Sequence, residues 1–364
     1  MNKDEKIFVT KPSLAEIGEI VPYLEQIWES GIMTHNGPLV QELERRLCEY
    51  LDISNTVTLN NGTLALQLAI RALGLRGEII TTPFTFVATA DAIIWENCTP
   101  VFVDIQPDTL NIDPERIEAA ITPKTVAIMP VHVFSRPCDI DKIQTIAEAN
   151  NLKVIYDAAH AMCVTFRGKS IMNCGDISCT SFHATKLYNT CEGGACFSEN
   201  ADLVEKLRRL RFFGFDEAKE IVDDGMNAKM TEISAGLGLA NLKHIDKVLA
   251  DRREKYQLYM KLLEGKVQFQ AFEPEEYNYS YMPVLLPSET KTLEVLQRCS
   301  AKNIFPRRYF YPCLHKTPRF STSQSLPVAE DVASRILSLP LYFGLEPETI
   351  ERICGIISEV SLGS

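Results

Sequence analysis

Lys186 is the residue of this chain with the most evident chemical potential. It closes the segment Ser181-Phe182-His183-Ala184-Thr185-Lys186, follows an apolar run over Ile177 to Phe182, and precedes Glu192-Gly193-Gly194. A lysine set among apolar residues is hard to ionise, and a neutral amine is both a nucleophile and a base. The glycine pair after it leaves room for a flat group. Such a lysine could hold a cofactor covalently; a solvated lysine in a loop after a strand is the plainer alternative.

A second residue, Asp157 in Tyr156-Asp157-Ala158-Ala159-His160, sharpens the chemistry. Lys153 to Tyr156 reads as a short buried strand, which puts Asp157 at its carboxyl end, where open α/β sheets gather their ligands. A carboxylate there can keep a pyridine nitrogen protonated, the state in which pyridoxal 5′-phosphate (PLP) acts as an electron sink. Alternatively, Asp157 caps the next helix.

The elements around these residues alternate. Strand-like runs at Thr56 to Leu59, Glu78 to Thr81, Val101 to Asp104, Thr125 to Val131 and Lys153 to Tyr156 are separated by helical patterns that reach Leu73 and Trp95, follow Pro114, and span Asp139 to Asn150. This alternation predicts right-handed βαβ crossovers and a mostly parallel sheet in an α/β fold. Two helices precede it, Ser13 to Glu29 and Gly37 to Tyr50. After the lysine come a strand at Ala195 to Ser198 and a helix at Ala201 to Arg211. One long helix over Thr231 to Leu263 is expected to link a large domain to a smaller α+β domain. That smaller unit carries a strand at Tyr279 to Leu286 and helices near Thr292 to Lys302, Val328 to Leu337 and Glu348 to Val360.

Composition removes several classes. The chain has 364 residues, enough for two cores, and a net charge of −11, which disfavours nucleic acid and anionic membranes as partners. No apolar run is long enough to span a membrane, and the polar start Met1-Asn2-Lys3-Asp4-Glu5-Lys6 is unlike a secretory signal, so a cytoplasmic location is expected. The 11 cysteines include no Cys-x-x-Cys pair, and reduced buried thiols are expected in preference to disulfides or zinc ligands, with no metal site.

Taken in order along the chain, six further segments share one resemblance. They are Lys11-Pro12-Ser13, Thr34-His35-Asn36-Gly37-Pro38, Asn60-Asn61-Gly62-Thr63-Leu64-Ala65-Leu66, Pro83-Phe84-Thr85-Phe86-Val87-Ala88-Thr89, Gly225-Met226-Asn227-Ala228-Lys229-Met230 and Tyr311-Pro312-Cys313-Leu314-His315. Together with the lysine and aspartate motifs, they make the chain similar to the DegT/DnrJ/EryC1/StrS family of PLP-dependent sugar aminotransferases over nearly its whole length. The resemblance implies the aspartate aminotransferase-like fold (fold type I). It also implies a PLP-binding domain over residues 1–245, with its N-terminal helical segment, and a C-terminal domain over 246–364.

The resemblance also suggests roles. Lys186 would carry PLP and Asp157 would hold its ring nitrogen; Gly62, Thr63 and Ser181 would take the phosphate, Phe86 would stack on the ring, and His160 would lie near the ring hydroxyl. Asn227 would reach the phosphate of a neighbouring subunit, implying a homodimer with shared sites. Lys229 stands where an arginine is common, and an ammonium cannot copy a guanidinium fork. His315, Tyr309 and Tyr311 would lie near a sugar nucleotide, with Arg307 and Arg308 meeting its diphosphate. Taken singly, these residues also read as turn, core, cap or surface-loop positions.

The implied activity is ping-pong transfer of the amino group of L-glutamate to C-4 of dTDP-4-dehydro-6-deoxy-D-glucose, giving dTDP-4-amino-4,6-dideoxy-D-glucose for O-antigen or related polysaccharide biosynthesis. The alternatives are amination at C-3 of an isomeric 3-keto sugar and use of a UDP- or GDP-linked ketosugar. Family members that act as dehydratases carry histidine at the lysine position; here His183 lies elsewhere in the motif and Lys186 is retained. A non-catalytic PLP-binding regulator would be expected to have lost Lys186 or Asp157, and both are present.

Overall fold

A seven-stranded sheet organises the chain in the computed structural model, which describes residues 6–362. Residues 1–5, most of the polar N-terminal segment, lie outside the described residues. In spatial order the strands are Thr56–Leu59, Gly194–Phe197, Ile177–Ser181, Lys153–Asp157, Thr125–Ile128, Glu78–Thr81 and Thr99–Phe102. Gly194–Phe197 runs antiparallel to both its neighbours, and the other pairs are parallel. The strands are short and buried along nearly their whole length because helices cover both faces.

The antiparallel strand matters for the site. Its first residue, Gly194, pairs with Ser181 and Leu59, the last residues of the two flanking strands. The start of one strand therefore joins the carboxyl ends of its neighbours along a single edge, and Asp157 sits at the end of the next strand on that same edge.

The first helix is Ile17–Ser30, shorter at its start than expected. A capping box between Glu16 and Glu19 begins it, and the Ala15 N–H is drawn away to Asn241 Oδ1 at 2.8 Å. Tertiary bonding also divides the long helix expected over Thr231 to Leu263 into Glu232–Leu242 and Ile245–Leu263. At the break His244 leaves helical geometry, and its Nε2 meets Glu19 Oε2 at 2.7 Å. Glu232 opens the first piece, accepting from the N–H groups of Leu39 (2.7 Å) and Val40 (3.1 Å) and so capping the helix Pro38–Leu51 from across the fold.

Two strand pairings escaped the sequence pattern. The end of the helix expected to reach Leu337 is instead the strand Ile336–Leu339, which pairs with Met282–Leu285 in a three-stranded sheet. Ile7–Phe8 pairs in parallel with Ile304–Phe305, fastening the start of the described chain to its C-terminal part. Among the described residues no helix is long and apolar enough to cross a membrane, and all 11 cysteines are free thiols.

Candidate active site

The edge described above forms one wall of a cavity of about 390 Å³. Of the cofactor candidates, Gly62, Thr63, Phe86, Asp157, His160, Ser181 and Lys186 all line it, joined by Arg307 and Tyr309 from the substrate candidates. Residues from the start of one helix, the ends of two strands and a C-terminal loop thus converge.

Asn61 caps the helix Gly62–Ala72, its Oδ1 accepting from Leu64 N–H at 2.9 Å, which leaves the N–H groups of Gly62 and Thr63 without a partner inside the helix at the end that lines the cavity. A Cβ on Gly62 would come within 2.8 Å of Ser181 Cβ, so glycine allows the helix start and the serine hydroxyl to meet. Backbone donors, a positive helix end and a hydroxyl in one cradle fit a phosphate.

The pair Gly193-Gly194 has a different purpose from the one expected. A Cβ on Gly194 would lie 2.6 Å from the Asn61 carbonyl carbon and 2.7 Å from Gly62 N, while one on Gly193 would meet Thr190 Oγ1 at 2.1 Å. The space these glycines leave is filled by the protein's own chain, which lets the antiparallel strand press against the phosphate cradle.

Asp157 is buried. Its Oδ2 accepts from Thr89 Oγ1 at 2.7 Å and its Oδ1 from Ala159 N–H at 3.1 Å. Burial pushes its pKa above the usual carboxylate value, opposed by these two hydrogen bonds and by Lys186. Buried in this way and given only neutral hydrogen-bond donors, the carboxylate is suited to a cationic partner such as a protonated pyridine.

His160 is also buried, and burial, aided by Lys186, holds its pKa well below the ordinary imidazole value, so the ring is neutral. Its Nδ1 accepts from Phe134 N–H at 3.3 Å, which assigns the proton to Nε2 and makes that atom a donor. Phe86, expected to cover a ring, is 58% exposed ahead of the helix Val87–Trp95.

Lys186 is half-buried, less enclosed than the sequence suggested, because its side chain lies along the cavity wall. Its Nζ is 3.5 Å from Tyr281 Oη. Neither Tyr281 nor Thr89 was singled out from the sequence. Tyr281 reaches the site from a distant segment, and Thr89, though within a quoted motif, carried no sign of its bond to Asp157.

Other candidates are not brought to this cavity. His315 is fully buried, with its Nε2 3.1 Å from Glu330 Oε1 and its ring near Phe102. Arg308 donates to Glu289 at 2.7 Å and to the Ser334 carbonyl at 2.8 Å, and its guanidinium lies 3.3 Å from the Tyr311 ring centroid. Arg308 is thereby committed within the C-terminal part, and Tyr311 stacks on it while remaining exposed outside the cavity. Asn227 and Lys229 line a separate hollow of about 380 Å³, where Lys229 Nζ donates to Asn227 Oδ1 at 2.6 Å. Burial and the neighbouring Arg211 lower the Lys229 pKa.

A parallel sheet with a lysine, a buried aspartate and a phosphate cradle along one edge defines a PLP enzyme, and the residues present fit that cofactor. The chain belongs to the DegT/DnrJ/EryC1/StrS aminotransferase family, whose pattern matches residues 15–358, and it is a PLP-dependent aminotransferase. It is 42% identical to a dTDP-4-amino-4,6-dideoxy-D-glucose transaminase of Escherichia coli, covering 97% of this chain and 98% of that one. It is 43% identical to the transaminase of the same name from Shigella dysenteriae, covering 98% and 100%. A solved structure of DesI in the presence of its TDP-sugar product matches with a TM-score of 0.94 at 33% identity, covering 99% of this chain and 94% of that one.

Proposed function

We propose that this enzyme transfers the amino group of L-glutamate to C-4 of dTDP-4-dehydro-6-deoxy-D-glucose, forming dTDP-4-amino-4,6-dideoxy-D-glucose. The observation that carries this reading is the intact cavity of Lys186, Asp157 and His160 in a chain similar, almost end to end, to transaminases named for that product. Its place would be the cytoplasm, in keeping with 11 free thiols.

Bound PLP supplies an electron sink for the electrons of the broken Cα–H bond. The chain's residues do the rest. Asp157 keeps a proton on the ring nitrogen, and the neutral His160 donates from Nε2. The first-turn N–H groups at Gly62 and Thr63, with Ser181, would bind the cofactor's phosphate, and Phe86 would pack against its ring. Lys186 provides the covalent anchor and, when its amine is free, takes the proton from Cα of the donor and returns it during the second half of the reaction. Glutamate leaves as 2-oxoglutarate before the ketosugar enters. Arg307 and Tyr309 are assigned to the nucleotide's diphosphate, with the Arg307 guanidinium donating to Tyr309 Oη at 2.9 Å.

The test is NMR of the product formed from purified enzyme, PLP, L-glutamate and dTDP-4-dehydro-6-deoxy-D-glucose. Nitrogen at C-4 is expected. Unchanged ketosugar, with glutamate still consumed in the half-reaction, would overturn the substrate and point to a 3-keto or differently nucleotide-linked sugar.

The reading includes a homodimer in which Asn227 and Lys229 serve the partner's site. Its support is that Asn227 is exposed outside its own chain's cavity, in a hollow shared with the exposed Met33 and Ile233, and that Phe213, Ile221 and Val222 are exposed as well. Sedimentation should give twice the chain mass of 40.9 kDa. A fully active monomer would refute the shared site. The reading also divides the chain into a cofactor unit over 1–245 and a smaller unit over 246–364, supported by the helix break at His244 and the separate three-stranded sheet.

A further inference from the structure

We propose that Tyr281 is a positioning residue for the Lys186 amine, holding it on the reacting side of the cavity in both of its protonation states. The inference rests on the reading of Lys186 as the group that moves the proton.

Contact comes first. Tyr281 Oη lies 3.5 Å from Lys186 Nζ, and the Tyr281 ring lines the cavity. A phenol is suited to this neighbour because it can accept from an ammonium and donate to a neutral amine. It can therefore follow the lysine through a proton transfer without rearrangement.

The segment that carries Tyr281 is held by buried hydrogen bonds. Asn278, fully buried, donates to the carbonyls of His160 (2.8 Å) and Met162 (2.7 Å), and its Oδ1 accepts from Ser280 N–H at 3.0 Å. The buried guanidinium of Arg252 donates to the carbonyls of Ser280 and Leu341, each at 3.1 Å. The residue before Tyr281 is thus gripped from two sides, and one of those grips joins it to the turn that carries His160.

The ring is held too. Its centroid is 4.5 Å from that of His160, 5.6 Å from Phe134 and 6.2 Å, edge-on, from Tyr309. The titratable and charged groups around it are Lys186, His160, Tyr309 with its partner Arg307, and Arg252 behind. Asp157 lines the same cavity, and Lys186 partly offsets the rise that burial causes in its pKa. An isolated packing tyrosine would not need its oxygen aimed at the cavity lysine.

The test is Tyr281→Phe in the holoenzyme, which removes one oxygen and keeps the ring. The turnover number should fall about 10- to 100-fold in both half-reactions, with KM for glutamate little changed, because the amine is present but poorly placed. A phenol oxygen accepting from a protonated nitrogen favours the protonated form, so the pH midpoint of the visible absorbance of the lysine-bound cofactor should move to lower pH. Replacing Tyr281 by 3-fluorotyrosine, nearly the same in shape but more acidic, should move the same midpoint without altering the thermal unfolding temperature.

Unchanged turnover and an unchanged absorbance midpoint in Tyr281→Phe would overturn the inference while leaving the role of Lys186 intact. Retention of turnover by Lys186→Ala would remove the reading beneath it. A rise in KM alone would also overturn it, since that pattern marks substrate binding in place of proton handling.

Discussion

Lys186→Ala should fold as the parent does and lose turnover by about 10,000-fold or more, about 5.4 kcal/mol of barrier. The fold should persist because Lys186 is half-buried, and the side-chain hydrogen bond it makes is the long one, 3.5 Å, to Tyr281. Removing it is expected to change stability by about 1 kcal/mol or less. Chemistry loses much more, because a single amine both anchors the cofactor and carries the proton.

Three measurements separate those roles. The visible band of the lysine-linked cofactor should be absent, the unfolding temperature should stay close to that of the parent, and added ethylamine should restore part of the rate by occupying the space the side chain vacates. Steady-state transamination at the parent rate would end the proton-transfer assignment. Loss of rate together with loss of the folded state would instead place Lys186 in the packing, contrary to its position along an open cavity wall.

Lys186 and Asp157 could be located from sequence because each follows a short strand-like run, and the sheet follows from the alternation of such runs with helical patterns. What escaped reading depends on segments far apart in the chain. Tyr281 meets Lys186 across 95 positions, and its role arises from Asn278 and Arg252, neither of which has a distinguishing sequence pattern.

The C-terminal loop shows the limit at closer range. Arg307 pairs as a bridge with Ser338 in extended geometry, so successive side chains point to opposite sides. Arg307 and Tyr309 face the cavity, whereas Arg308 turns inward to Glu289 and the Ser334 carbonyl. Two adjacent arginines look equivalent as letters, and only the register of that bridge distinguishes them. His315 was drawn to the site by its motif, but its ring is buried against Glu330. The run Ile336-Leu337-Ser338-Leu339 could end a helix or form a strand, and its pairing with Met282–Leu285 settles the matter.

Asp157→Asn separates what the site costs the fold from what it gives the reaction. In the cofactor-free protein the Asp157 pKa is raised, which means that burial penalises the ionised form. That penalty is absent below the ordinary carboxylate value of 3.8, grows as pH rises from there to the raised folded-state value, and is fully present above it. An asparagine carries no such charge and can keep hydrogen bonds with Thr89 and the Ala159 N–H. The cofactor-free variant should therefore unfold at the same temperature as the parent or higher at pH 7, with the difference vanishing near pH 3. Turnover should move the other way, falling about 100-fold or more, about 2.7 kcal/mol, because a neutral amide cannot keep the ring nitrogen protonated. Calorimetry of the cofactor-free proteins and single-turnover kinetics of the loaded ones test the two halves independently. A near-parental rate would remove the assignment of Asp157 to the ring nitrogen. A large drop in unfolding temperature would show that the carboxylate is held for packing, in which case the kinetic loss would no longer bear on the cofactor.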